Sequence, residues 1–155
     1  DPQLALVRLN VQATVVLAHA FLRQAAAGDA LVNVSSTVAF LPIPGSGLYP
    51  ASKSFVATFS ECLWYEQRRR DVYVVGLLPG PTATEFQQRA GAGHHKPPKA
   101  LLQTPEQVVD EGMRALAARK APTVMCGAPN RLFAFLGRFR SRKAVVSQMG
   151  RLFPE

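Results

Sequence analysis

The run Val72-Tyr-Val-Val-Gly-Leu-Leu78 is apolar without alternation and stops at Pro79-Gly80-Pro81. A strand with one solvated face alternates polar and apolar residues, whereas a strand covered on both faces does not. The segment therefore predicts a fully buried strand, and a parallel neighbour reaches it only through a crossover, normally a helix. The chain supplies such segments in order. Pro2 to about Ala27 reads as a helix, with Leu4, Val7, Val11, Val15 and the Leu17/Ala18 pair at helical spacing and Gly28-Asp29 as its stop. Ala30–Val34 reads as a short strand ending at Ser35-Ser36. About Pro50 to Arg69 is a second long helix, with Phe55, Val56, Phe59 and Leu63 on its apolar side. Thr104 caps a third, with Pro105 in the first turn and Gln107 three residues after the cap. Thr123–Cys126 is a third strand, closed by Gly127.

Helix, strand, helix, strand, helix, strand is the order of an α/β fold, a doubly wound parallel sheet with helices on both faces. Such a sheet usually carries Gly-x-Gly-x-x-Gly after its first strand. The sequence contains no such motif and opens on a helix. The expectation is that the N-terminal strands and the dinucleotide fingerprint are absent from this chain and precede Asp1, because three parallel strands alone leave a bare edge.

Composition narrows the class. The 155 residues are 48% hydrophobic and 18% charged, which suits one globular domain. No run of about 18 apolar residues is free of a charge or breaker, and the first residues lack the pattern of a signal peptide. A cytoplasmic or membrane-peripheral location is expected. Cys62 and Cys126 stand apart in apolar segments and read as buried thiols. The net charge of +8 is uneven: residues 1–85 balance six basic against six acidic residues, while residues 130–155 hold six basic residues against Glu155 alone. With no zinc-finger spacing and no aromatic-basic interleaving, nucleic acid is not the expected partner.

Chemistry concentrates at Tyr49-Pro-Ala-Ser-Lys53. On a helix the Tyr49 and Lys53 side chains lie one turn apart on one face. A tyrosine titrates near 10, and an adjacent ammonium favours its phenolate, which would make proton exchange with a substrate oxygen feasible. The same spacing also occurs in any surface helix with a snorkelling lysine. Ser35 and Ser36 lie at the end of a strand where ligands of open parallel sheets collect. Either hydroxyl can hold a substrate oxygen toward Tyr49, or merely cap the strand's last backbone groups.

Asn10, Val34-Ser-Ser36, Tyr49-x-x-x-Lys53 and Leu78-Pro-Gly-Pro-Thr-Ala-Thr84, in that order and spacing, resemble landmarks of the short-chain dehydrogenase/reductase family, whose fold is Rossmann-like. The separation of 13 between Ser36 and Tyr49 matches the family's catalytic pair and selects Ser36 over Ser35. Within the family the Pro-Gly-Pro-Thr-Ala-Thr-Glu-Phe run and the Asn-Arg-Leu of the tail look closest to bacterial proteins of the DltE type. The resemblance implies an NAD(P)(H)-dependent oxidoreductase interconverting a ketone or aldehyde and an alcohol. Tyr49 would be the general acid or base. Lys53 would hold the nicotinamide ribose, and Ser36 would position the reacting oxygen. Asn10, mid-helix, would anchor a water leading to Lys53, or serve a local structural role. Pro79 and Gly80 would turn beside the nicotinamide, with Thr84, and more weakly Thr82, as cofactor ligands. His94 and His95 fall in the loop that the family uses as a substrate lid and would contact substrate; no metal site is expected. NAD or NADP stays open, because the residue that selects between them lies in the absent region.

These readings divide the chain into residues 1–127, the catalytic C-terminal portion of one Rossmann-like domain, and residues 128–155, a basic amphipathic extension. The extension suits a membrane surface through residues 130–155, a lid on the substrate pocket or a subunit contact. A small hydrophobic carbonyl or alcohol is the expected substrate, and a homodimer or homotetramer the expected assembly. Two rival readings are a family member that binds cofactor or partner without turnover, and a basic peripheral-membrane or scaffold protein.

Overall fold

The computed structural model describes residues 1–86, 98–137 and 139–152. A helix, α1, spans Pro2–Gln24 and is interrupted by a π-helical turn over Arg8–Gln12. Strand β1 is Ala30–Val34, helix α2 is Leu48–Gln67, and strand β2 is Tyr73–Leu78. Helix α3, Pro105–Ala118, leads to strand β3, Thr123–Met125, and two helices close the chain: α4, Ala128–Gly137, and α5, Arg142–Leu152. The expected elements are all present, with boundaries moved by a few residues. The first helix ends three residues early because Ala25 turns extended and Asp29 accepts the Ala26 N–H through Oδ2 at 2.8 Å. The Thr104–Gln107 capping box is complete, with both reciprocal bonds present.

The sheet is parallel throughout, in the order β1-β2-β3. Val34 pairs with Leu77, and Leu78 with Met125. Every residue of β2 is buried, as its unbroken apolar run requires. Its alternate residues face opposite layers. On one side Val72 and Val74 pack with Ala18 and Leu22 of α1 and Leu63 of α2. On the other, Leu77 meets Val108 of α3 and Cys126. Burial of each such aliphatic side chain stabilises the fold by about 1.5–3 kcal/mol. Helices thus cover both faces, as a doubly wound sheet demands. As an edge strand, β1 is less covered, and its last residue, Val34, is 55% exposed.

Close packing of α2 on the sheet depends on a small residue. A Cβ on Gly76 would stand 3.2 Å from the Ser60 Cβ and 3.1 Å from the Thr123 Cγ2. The Ser60 hydroxyl, fully buried, donates to the Val56 carbonyl and accepts from the Asn33 amide of β1. At the opposite end of the strands Arg119 ends α3 in the left-handed region, with φ 49. Its guanidinium donates to the carbonyls of Gly28, Asp29 and Asp71, gripping the two loops that lead into β1 and β2. No periodicity signals this residue.

Several apolar positions on the two long helices lie outside the core. Leu4, Leu9, Val16 and Leu17 of α1 are exposed, as are Phe55 and Tyr65 of α2. By length and composition alone α1 is apolar enough to cross a membrane, with a mean hydropathy of 1.5. Its buried residues are Ala18 and Leu22, which pack into the core; the rest of the helix is largely uncovered. Cys62 departs from expectation: it is exposed, because the buried stripe of α2 runs through Val56, Ser60 and Leu63 and leaves position 62 outside. Cys126 is buried, and burial with the nearby Glu111 carboxylate pushes its thiol up to about 11. Since the thiolate is the reactive form, a thiol-disulfide reagent at neutral pH is expected to titrate one cysteine in the native chain and both in denaturant. A Cys62→Ser variant that still reacts at the native rate would contradict this packing.

Candidate active site

The carbonyl ends of β1 and β2 are stitched together where the candidate residues sit. The Ser35 N–H donates to the Leu77 carbonyl at 2.7 Å, and the Thr37 N–H to the Pro79 carbonyl at 2.9 Å. Ser35 and Ser36 then take different roles. The Ser35 hydroxyl, 3% exposed, is committed to the Lys53 carbonyl at 2.6 Å. Ser36 is extended and caps the short turn Thr37–Phe40. Its Oγ accepts the Val38 N–H and donates to the Pro79 carbonyl, both at 3.3 Å. Long bonds of this kind are weak, so the hydroxyl can turn toward another acceptor.

Tyr49 and Lys53 occupy the first turns of α2. The Lys53 ammonium reaches back to the sheet and donates to the Val34 carbonyl at 3.1 Å. It lies 5.8 Å from the centre of the Tyr49 ring. The Phe86 ring stands 5.7 Å from the same ring, tilted by 37°. Burial pushes the Tyr49 phenol above its usual value, and hydrogen bonding with Ser36 only partly opposes this. Burial also lowers the Lys53 ammonium. The expected depression of Tyr49 by Lys53 is therefore not what this arrangement produces. The ammonium is directed at a backbone carbonyl, and desolvation of the phenolate is the larger effect. Burial thus favours the neutral form of the Tyr49 phenol.

Asn10 lies in the π-helical turn of α1. Its amide donates to the Ser52 hydroxyl at 3.0 Å, and that hydroxyl donates to the Tyr49 carbonyl at 2.8 Å. The Asn10 carbonyl accepts the Thr14 hydroxyl at 2.8 Å. Asn10 thus ties α1 to the backbone of the Tyr49–Lys53 turn. Ser52, 4% exposed, is the intermediary that spacing did not reveal.

After β2, the segment carrying Pro79, Gly80, Thr82 and Thr84 crosses the end of the sheet. The Thr82 hydroxyl donates to the Gly80 carbonyl at 3.0 Å, and Thr82 bridges to Gln103. Thr84, exposed, accepts the Phe86 N–H through its hydroxyl oxygen. A Cβ at Gly80 would stand 2.3 Å from the Asn130 amide nitrogen, so glycine is required there by packing. Asn130 donates to the Cys126 carbonyl at 3.0 Å and to the Leu101 carbonyl at 3.3 Å. Beside it Glu111 accepts from the Gln103 amide, the Gly127 N–H and Arg131. This half-buried polar cluster braces the Pro79–Gly80 turn that accepts Ser36. Its members are scattered over nearly thirty positions and carry no sequence motif. His94 and His95 lie outside the described residues.

A family model for short chain dehydrogenases matches residues 4–95. Among curated proteins, the chain is 43% identical over 57 residues to human very-long-chain 3-oxoacyl-CoA reductase, covering 37% of this chain and 18% of that protein. It is 33% identical over 110 residues to sulfoacetaldehyde reductase 2 of Chromohalobacter salexigens, covering 68% of this chain and 44% of the relative. A short chain dehydrogenase of Burkholderia cenocepacia, solved in complex with NADP, superposes with a TM-score of 0.75 at 26% identity. That match covers 96% of this chain and 62% of the solved one. The chain therefore spans less than half the length of these two curated relatives.

The direction of the Tyr49 shift is open to measurement. The difference in tyrosinate absorbance between the native chain and a Tyr49→Phe variant is expected to titrate above pH 10, the ordinary tyrosine value. A midpoint below 10 would mean that the Lys53 charge outweighs burial.

Proposed function

Because the chain belongs to the short-chain dehydrogenase family, we propose that this protein is a nicotinamide-dependent oxidoreductase that interconverts a ketone or aldehyde and an alcohol, with Tyr49 moving the proton. The observation that carries the reading is the convergence of Ser36, Tyr49 and Lys53 at one strand end: Ser36 bonds the Pro79 carbonyl beyond β2, and the Lys53 ammonium, 5.8 Å from the centre of the Tyr49 ring, bonds the Val34 carbonyl at the end of β1. No element of the packing needs all three side chains together, since Ser35 and Ser52 already secure the backbone there.

The donors suit the nicotinamide-ribose end of a dinucleotide. One of the three Lys53 protons goes to Val34, leaving two to hold ribose hydroxyls. Pro79 and Gly80 offer a turn beside that position, and Thr82 and Thr84 add hydroxyls. When bound, the nicotinamide supplies or accepts the hydride. In the reductive direction the Ser36 and Tyr49 hydroxyls orient the carbonyl oxygen. Tyr49 then gives up its proton, which the raised pKa keeps in place until that moment. NAD or NADP is the cofactor, and the NADP complex of the Burkholderia neighbour supports that choice.

Exposed Phe40 lies four residues after Ser36, and exposed Phe86 has its ring 5.7 Å from that of Tyr49, which favours a hydrophobic carbonyl substrate. The named relatives differ widely here, one acting on very-long-chain 3-oxoacyl-CoA and the other on sulfoacetaldehyde. Exposed apolar residues on α1 and α2 support a homodimer or homotetramer. The Pro79–Phe86 run and Asn130-Arg131-Leu132 support the DltE-type branch as the placement within the family.

A screen of apolar ketones and secondary alcohols with NAD(H) and NADP(H), read by nicotinamide absorbance, tests the reading. Tyr49→Phe is expected to lower turnover by about 10²- to 10⁴-fold, the usual contribution of a positioned acid-base group, while leaving circular dichroism unchanged. A Tyr49→Phe protein as fast as the native one on every substrate would overturn it.

A further inference from the structure

We propose that the outer side of α4 and the turn that follows it form a docking face for an anionic lipid surface, a role separate from the catalytic reading. The C-terminal helices are asymmetric in both polarity and charge. Asn130 fixes the inner side of α4 to the body of the protein. The outer side presents Leu132, Phe133, Phe135 and Leu136, each between 44% and 59% exposed. Phe139 continues the patch at 76% exposed, its ring edge-on to Phe135 at 5.2 Å. Large apolar side chains clustered on one short segment mark an interaction site rather than ordinary surface scatter.

Charge selects the partner. Between Glu111 and Glu155 the sequence has nine Lys or Arg residues and no Asp or Glu. Arg131 is taken up by Glu111 and the Met125 carbonyl. Arg140, Arg142 and Lys143, all exposed, directly follow the aromatic patch. An apolar arc bordered by cations is the arrangement that seats in the headgroup layer, aromatics inward and cations on lipid phosphates. A second copy of this chain meets the patch less well, because its equivalent face carries the same positive charge. The exposed apolar residues of α1 have only Arg8 and Arg23 as cations within the helix and lack this pairing.

Docking would also orient the site. Helix α4 packs on Thr37–Phe40, the turn that Ser36 caps, and Gly150 of α5 lies against Pro44 in the segment leading to Tyr49.

Flotation of the full chain with phosphatidylglycerol-containing vesicles, compared with pure phosphatidylcholine, tests the proposal. Binding to the anionic vesicles only, weakened by salt, is expected. An Arg140→Gln, Arg142→Gln, Lys143→Gln variant should bind about 10²-fold more weakly, each near-surface cation being worth about fivefold. A Phe133→Ser, Phe135→Ser, Leu136→Ser variant should lose binding too, and its exposed positions leave circular dichroism unchanged. Equal binding to neutral vesicles, or no change in the charge variant, would overturn the proposal. So would a native chain that ignores vesicles and self-associates until the serine substitutions are made.

Discussion

Complete burial of β2 is the constraint on which the rest of the structure depends. Val72 and Val74 bind it to the layer of α1 and α2, and Leu77 binds it to the α3 side. A strand covered on both faces has no freedom to slip, because a one-residue shift would exchange the side chains of the two layers. Its fixed register in turn fixes where the neighbours end. The Leu77 and Pro79 carbonyls take the N–H groups of Ser35 and Thr37, and Ser36 lies between them. The candidate hydroxyl is thereby set to the position of β2 through main-chain bonds, with no adjustable side chain between.

A second support comes from α2. Ser35 holds the Lys53 carbonyl, Ser52 holds the Tyr49 carbonyl, and Asn10 holds Ser52 from α1. These bonds use backbone atoms of the catalytic candidates and leave their phenol and ammonium for other work. Rigid placement of this kind is what positioned acid-base groups require. The half-buried setting has an electrostatic consequence as well. It raises the phenol and lowers the ammonium, so the pair is drawn toward neutrality rather than toward an ion pair.

The C-terminal region follows a different logic. In α4 the large apolar residues point away from the sheet while Asn130 faces in. The aromatic patch and the cation-only stretch beside it are surface properties, and they explain why the chain carries a charge of +8 although its first 85 residues are neutral.

Strand and helix periodicity, the Thr104 cap and the Pro-Gly stop were enough to predict the α/β layering, since each is a local pattern imposed by hydrogen-bond geometry and burial. The spacing of Ser36, Tyr49 and Lys53 was equally legible, because a helical turn and a strand end are both local. What the sequence could not express were relations between distant segments. The committed role of Ser35, the Asn10–Ser52 link, the Arg119 clasp on two loops and the Asn130 amide that excludes a Cβ from Gly80 all join residues more than fifteen positions apart. The exposure of Cys62 and the direction of the Tyr49 shift belong with them. Both depend on how much water reaches a group, and solvent access is decided only when the helices have packed against the sheet.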